Sequence, residues 1–200
     1  MRERGERLLI VSPVFNEAAH LRRTARAVAG QARRPDRWVI VDDGSRDGTL
    51  EIARELEAEL GFVTALAAPP ADAGADNLAL AREARAFNFG LRQAGWSDFA
   101  FVGKLDGDVE LPPRWFSELL ERFRADPLLG VAGGRLAERG RRGWRPIAIP
   151  EHHVHGAVKL YRRDCLLAIG GVPERLAWDT IDETYARMRG YETRSFAELV

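Results

Sequence analysis

The chain has 200 residues, 46% of them hydrophobic and 30% charged, and its 30 basic and 30 acidic side chains cancel to no net charge. That is enough apolar matter for one packed domain, and the charge balance excludes a global field drawing the molecule to nucleic acid or an anionic membrane, so anion binding has to be local. The single cysteine, Cys165, excludes an internal disulfide and a thiolate metal cage, and it reads as core filler in a reducing compartment, the cytoplasm.

The apolar segment within MRERGERLLIVSPVFNEA runs for about four residues before Ser12 and Pro13 interrupt it, too short for a signal-peptide core. No other window approaches the ~18 apolar residues of a membrane span, so the chain is expected not to cross a bilayer; peripheral attachment at the inner face of the cytoplasmic membrane stays open. Leu8 to Val11 and Trp38 to Val41 are short continuous apolar runs, the pattern of strands buried on both faces. Between them Leu21, Ala25 and Val28 recur at helical spacing, with Asn16 as the expected N-cap, which makes a strand–helix–strand unit.

The pattern then repeats. Ile52, Leu56 and Leu60 mark a helix after the GSRDGT turn, and Phe62 to Leu66 a third strand. Residues 67–76, rich in Pro, Ala, Asp and Gly, read as a loop; Leu80, Ala84, Phe87 and Leu91 as a helix; Phe99 to Val102 as a fourth strand. Phe116, Leu119, Leu120 and Phe123 give a helix introduced by Pro112-Pro113. After Val131 the regularity fades: Arg139 to Pro150 reads as a long loop, Asp164 to Ile169 as a short helix stopped by Gly170-Gly171, and a strand is expected before Phe196. Alternating strands and helices predict an α/β fold, a mostly parallel open sheet flanked by helices in a single domain.

Ligands of such sheets bind outside the carboxyl ends of the strands. Those ends here carry Ser12 to Glu17, then Asp42-Asp43-Gly44-Ser45, then Asp106-Gly107-Asp108. Carboxylates brought to one edge repel each other unless a cation neutralises them. Asp106 and Asp108, two apart in an extended strand end, project to the same side, and Gly107 lets the backbone turn closely. Mg²⁺ or Mn²⁺ would accept those oxygens and keep other positions for a diphosphate.

The motifs SPVFNEA (12–18), VDDGSRDGT (41–49), LDGD (105–108), GAVKLYRR (156–163) followed by IGG (169–171), and WDTIDE (178–183) ahead of RGY (189–191) stand in the order of a known family. From Val11 to Phe196 the chain resembles the family 2 glycosyltransferases. The resemblance implies the GT-A (Rossmann-like) fold, with residues 8–110 as the nucleotide-sugar-binding part and 111–200 as the acceptor side. It further implies a metal-dependent, inverting transfer of a sugar from a nucleotide-diphosphate sugar to an acceptor hydroxyl, as in polysaccharide, glycolipid or cell-envelope synthesis. Saccharide, lipid and protein acceptors all fit, and nucleic acid is not an expected partner.

Carried over by position, Pro13, Val14, Asn16, Glu17, Asp42 and Asp43 look like the pocket for base and ribose, Asp106 like a ribose or metal contact, and Asp108 like the principal metal ligand. The family takes its base from an E-D or T-E-D motif; here Ile181 stands where the glutamate would be, which leaves Asp182 as the expected base and Glu183 or Asp179 as substitutes. His155, Arg163, Trp178 and Glu183 are candidates for contacts to acceptor or phosphate, and Arg82 or Arg85 with Asn88 for contacts near the base.

Other features divide between a structural and a functional reading. Arg139, Arg141, Arg142 and Arg145 are a solvated loop or a clamp on phosphate, and Arg162 and Arg163 pose the same choice. His152, His153 and His155 lack the spacing of zinc ligands. Trp144 and Trp178 are core or platforms for a sugar ring, and Trp115 is core. A haloacid-dehalogenase-type phosphatase requires Thr or Val where Glu110 stands, a receiver domain needs a shorter chain, and no phosphate loop follows the first strand. A nucleotide-sugar binder without catalysis is the rival that the irregular base motif sustains.

Overall fold

The apolar runs are strands, and the computed structural model describes them within residues 6–70, 81–140 and 143–199. β1 (Leu8–Val14) leads through α1 (Leu21–Ala29) to β2 (Arg37–Asp42), and β2 leads through α2 (Thr49–Glu59) to β3 (Val63–Ala67). α3 (Arg82–Ala94), β4 (Phe101–Leu105), α4 (Trp115–Ala125) and β5 (Leu129–Gly134) continue the alternation. β6 (Ala137–Gly140) and β7 (Gly143–Pro146) then pair with each other, and β8 (Val158–Arg162), α5 (Arg163–Ala168), α6 (Trp178–Met188) and β9 (Glu192–Phe196) complete the chain.

Seven strands form one sheet in the order β3-β2-β1-β4-β8-β5-β9. β1 pairs in parallel with β2 and β4, and β2 with β3, which needs the crossover connections that the helices supply. β8 alone runs against its neighbours β4 and β5. The result is the mostly parallel, helix-flanked, single-domain sheet that the sequence implies.

Why the central runs lack alternation is visible in their burial. Every residue of β1 is buried, because helices cover both faces. Leu8, Ile10 and Val14 pack with Leu21, Val28 and Phe116 on one face; Leu9 and Val11 pack with Phe87, Leu91 and Tyr161 on the other. α3 lies close to the sheet at Gly90, where an added Cβ would stand 2.6 Å from Val11 and 2.7 Å from Val41.

Two expectations are corrected. Asn16 does not cap α1, which begins after His20; it adopts φ 57° in the preceding turn, where its side chain is spent on another loop. Residues 139–150 are not all loop, because Ala137–Gly140 pairs antiparallel with Gly143–Pro146 as β6 and β7; the side chains are largely exposed, so no apolar alternation announced them. Of the loop 67–76, residues from 71 onward lie outside the described residues, as does Leu80. Among the described residues no helix is long and apolar enough to cross a membrane.

Candidate functional site

The carboxyl ends of β1, β2 and β4 open on a cavity of about 640 Å³. Pro13, Val14, Phe15 and Glu17 line it from β1, Asp43 from β2, Arg82 and Glu83 from α3, and Asp106, Gly107 and Asp108 from β4. The antiparallel course of β8 brings Gly156 and Ala157 to the same edge, and Leu176, Trp178 and Asp179 close the far side.

Side chains of the VDDGSRDGT motif hold the first two loops together. The backbone N–H of Asn16 donates to Ser45 Oγ, that of Glu17 to Thr49 Oγ1 and that of Ala18 to Asp47, while Arg46 N–H donates to Asn16 Oδ1. Asn16 therefore braces the site instead of lining it. Asp42 is buried: Oδ2 accepts the N–H groups of Gly44 and Ser45, and Oδ1 has no partner among the described residues. Asp43 reaches the cavity, where Arg82 Nε donates to its Oδ2 at 2.7 Å, and the same guanidinium lies 5.0 Å from the centre of the exposed Phe15 ring.

Asp106 and Asp108 stand together as expected. Gly107 makes this possible, since a Cβ there would be 2.8 Å from Val14 and 3.2 Å from Glu17, and its carbonyl accepts the buried Thr24 hydroxyl at 2.7 Å. Burial, and then the Asp108 carboxylate, raise the Glu17 pKa, a sign of surplus negative charge at this edge. Part of that surplus is met from inside the protein. Buried Lys104 pairs with Asp106 and Glu83 and donates to the Gly156 carbonyl at 2.9 Å; burial opposes its charge, but the two carboxylates raise its pKa overall. No sequence pattern singled out Lys104, although a lone lysine in the run FVGKL was its signal.

Below the cavity a second buried ammonium orders α6. Lys159 bonds the Asp179 carbonyl at 2.6 Å, Asp182 at 3.1 Å and Glu183 at 3.0 Å. Asp182 is fully buried, accepts the Tyr161 hydroxyl as well, and does not line the cavity; burial raises its pKa against the pull of Lys159. Glu183 is equally buried, accepting Val154 N–H at 2.7 Å and facing His153 Nδ1 at 3.1 Å. The carboxylate that α6 offers to the cavity is Asp179. Beside it the Trp178 ring rests on Gly156, where a Cβ would meet it at 2.9 Å, with Lys104 and Lys159 at 5.3 and 5.4 Å from its centre.

The remaining candidates fall elsewhere. Arg163 follows β8 at the opposite sheet edge, next to Ser97 and Asp164, because β8 runs antiparallel and Arg162 pairs with the start of β4. Arg162 is spent on the carbonyls of Phe123, Asp126 and Leu129. His155 does not line the cavity; its Nε2 is buried without a partner among the described residues, and burial, then His153, lower its pKa. Asn88 donates to the Val172 carbonyl and to Glu174 and does not line the cavity. Cys165 is buried, its thiol pushed up to about 12 by burial, which fits an inert core residue.

Comparison with known proteins gives this edge its context. The profile of Glycosyl transferase family 2 matches residues 9–170. Glycosyltransferase AglE of Haloferax volcanii is 32% identical over 114 residues, 53% of this chain and 32% of its own length. The mannosyltransferase PcManGT from Pyrobaculum calidifontis, solved with GDP-Man and Mn²⁺, superposes with a TM-score of 0.71 at 22% identity, covering 96% of this chain and 54% of that one. S. aureus TarS 1-349, solved with UDP-GlcNAc, superposes with a TM-score of 0.72 at 18% identity, covering 96% and 56%. The chain thus spans about a third of the curated relative and just over half of these solved neighbours. At such identities the neighbours speak for the GT-A fold, and the profile, running from β1 to the end of α5, speaks for descent: the chain belongs to glycosyl transferase family 2.

Proposed function

We propose that this chain transfers a sugar from a nucleotide-diphosphate sugar to an acceptor hydroxyl, with inversion, and that Asp179 is the base. The observation that carries the reading is that Asp179 opens on the same cavity as Asp106 and Asp108, while Asp182 does not. With Asp179 as base, the irregular motif would no longer argue for a binder without catalysis.

The roles follow from what each residue can do. Phe15 and the Arg82 guanidinium offer flat surfaces to a nucleobase, and Asp43, oriented by Arg82, offers an acceptor for a ring N–H. Asp42, before it in the chain, is buried and does not line the cavity; its carboxylate serves the turn through the Gly44 and Ser45 N–H groups. Asp106 and Asp108 present hard oxygen donors at an edge with surplus negative charge, which suits Mg²⁺ or Mn²⁺. Among the described residues no group of three or more His, Cys, Asp and Glu could hold a metal ion, so such an ion would need further ligands, as substrate phosphates would supply. When bound, such an ion would stabilise charge on the departing diphosphate.

Asp179 sits in the first turn of α6, where the helix N-terminus favours a carboxylate, and Lys159 fixes its backbone carbonyl. A base there removes the acceptor proton as the oxygen attacks the anomeric carbon from the face away from the diphosphate, so one displacement inverts the centre. Trp178 and Leu176 give the acceptor side an apolar wall.

The test combines binding and turnover. Thermal shifts with UDP-, GDP- and dTDP-sugars, with and without Mn²⁺, should show metal-dependent stabilisation by one nucleotide class, lost in Asp108→Ala. Asp179→Asn should keep that shift and lower transfer by about 10²–10⁴-fold. Full transfer by Asp179→Asn would return the base to another residue, and no shift with any donor would defeat the reading.

A further inference from the structure

The β6–β7 hairpin takes no part in the sugar-transfer reading. It leaves the end of β5, which runs in the direction of β4 because both lie antiparallel to β8; the hairpin therefore rises from the sheet edge that carries Asp106 and Asp108. Every residue of β6 and β7 is at least partly exposed, and Trp144 is 65% exposed. In the register Arg139 faces Trp144 and Ala137 faces Pro146, so these four share one side of the ribbon. Arg145 takes the other side.

Its two described arginines are unpaired, as Arg26, Arg54 and Arg92 are elsewhere among the described residues. Surface arginines such as Arg122, Arg124 and Arg194 are paired with Glu198, Glu6 and Glu151. Arg139 and Arg145 make no ion pair or hydrogen bond among the described residues, and Glu138, opposite Arg145, does not compensate it. Arg141 and Arg142 lie outside the described residues and carry no part of the argument.

We propose that this hairpin docks on an anionic lipid surface, with Trp144 at the headgroup level and Arg139 and Arg145 against lipid phosphates. An exposed indole beside unpaired guanidiniums is the chemistry of a membrane interface. Arg139 and Arg145 lie on opposite sides of the ribbon, so they do not converge on one small anion, which favours an extended surface over a soluble phosphate. Because the whole chain carries no net charge, the attraction is confined to this arm. Docked this way, the cavity edge would face the bilayer, where an acceptor carried by a lipid would arrive.

The inference does not require the sugar-transfer reading, since binding is measured without substrates. The protein is sedimented with phosphatidylcholine vesicles with and without phosphatidylglycerol. Binding is expected only with phosphatidylglycerol, weakened by salt, and unaffected by inorganic phosphate at low millimolar level. Arg139→Ala with Arg145→Ala should lower the partition coefficient roughly thirtyfold, about fivefold for each guanidinium. The tryptophan emission of the wild type should shift to the blue on binding, and that of Trp144→Phe should not. All three substitutions are on exposed positions and should leave the nucleotide-sugar thermal shift unchanged, which separates failure of this inference from failure of the proposed activity. Absence of binding, equal binding by the arginine variant, or displacement by inorganic phosphate would each overturn it.

Discussion

Lys159 shows how a buried charge can fix the backbone that carries the proposed base. It is fully buried, and its ammonium is shared among the Asp179 carbonyl, Asp182 and Glu183. Lys159→Met would strand two buried carboxylates, and breaking such a pair costs about 3–5 kcal/mol, readable as a lower urea midpoint at unchanged slope. His155 gives a pH signature of its own. Burial and His153 lower its folded pKa, so below its unfolded value of about 6.5 the unfolded chain binds more protons and stability falls with acidification. His155→Gln should flatten that part of the melting temperature profile; an unchanged slope would mean that the loss comes from other groups. The same scale sets the limit of reading WDTIDE from sequence. Asp179 and Asp182 are three residues apart, about 60° around a helix and about 4.5 Å along it, enough to put one at a cavity rim and the other in the core. Spacing alone does not say which. Asp106, Asp108 and Glu17 were legible because they end strands, and a strand end in a parallel sheet faces the ligand.

At the level of elements, the close approach of α3 to β1 and β2 depends on Gly90. Gly90→Ala would gain up to about 1 kcal/mol of helix propensity. Its Cβ would nevertheless sit 2.6 and 2.7 Å from Val11 and Val41, both wholly buried in strands that have no room to move. Overpacking of this kind costs about 1–3 kcal/mol, so the net effect should be destabilising, measured by chemical denaturation. A gain in stability would mean that α3 shifts freely on the sheet. The strands beneath α3 were read correctly because continuous apolar runs report burial on two faces. β8 was not, since Lys159 and Arg162 interrupt its run, and a buried lysine looks like surface until its partners on α6 are known. α6 itself carries Asp179, Asp182 and Glu183 where an amphipathic helix would carry apolar residues, so its pattern was obscured by the chemistry it holds. The β6–β7 hairpin fails the pattern for the opposite reason: little of it is buried at all.

For the molecule as a whole, the proposed activity implies a particular coupling between ligand and stability. The cavity draws on β1, β2, β4, α3, the approach to β8 and α6, so a nucleotide sugar held there would engage segments from Pro13 to Asp179. Unfolding would release all of these contacts at once, and a ligand that binds only the folded chain stabilises it by about 2.7 kcal/mol at a hundredfold excess over its Kd. For a domain of this size each kcal/mol moves the midpoint by about 2–4 °C, which predicts a rise of roughly 5–11 °C with the right nucleotide class and metal. Asp43→Ala should abolish much of this rise, because Asp43 is the cavity carboxylate that Arg82 orients, while the unliganded midpoint should fall far less than in Lys159→Met. Asp179→Asn should keep the full rise, as a base contributes to the transition state and little to donor binding. If instead Asp179→Asn lost the rise and Asp43→Ala kept it, the donor would have to lie on the α6 side of the cavity, and the proposed arrangement of donor and acceptor would be reversed.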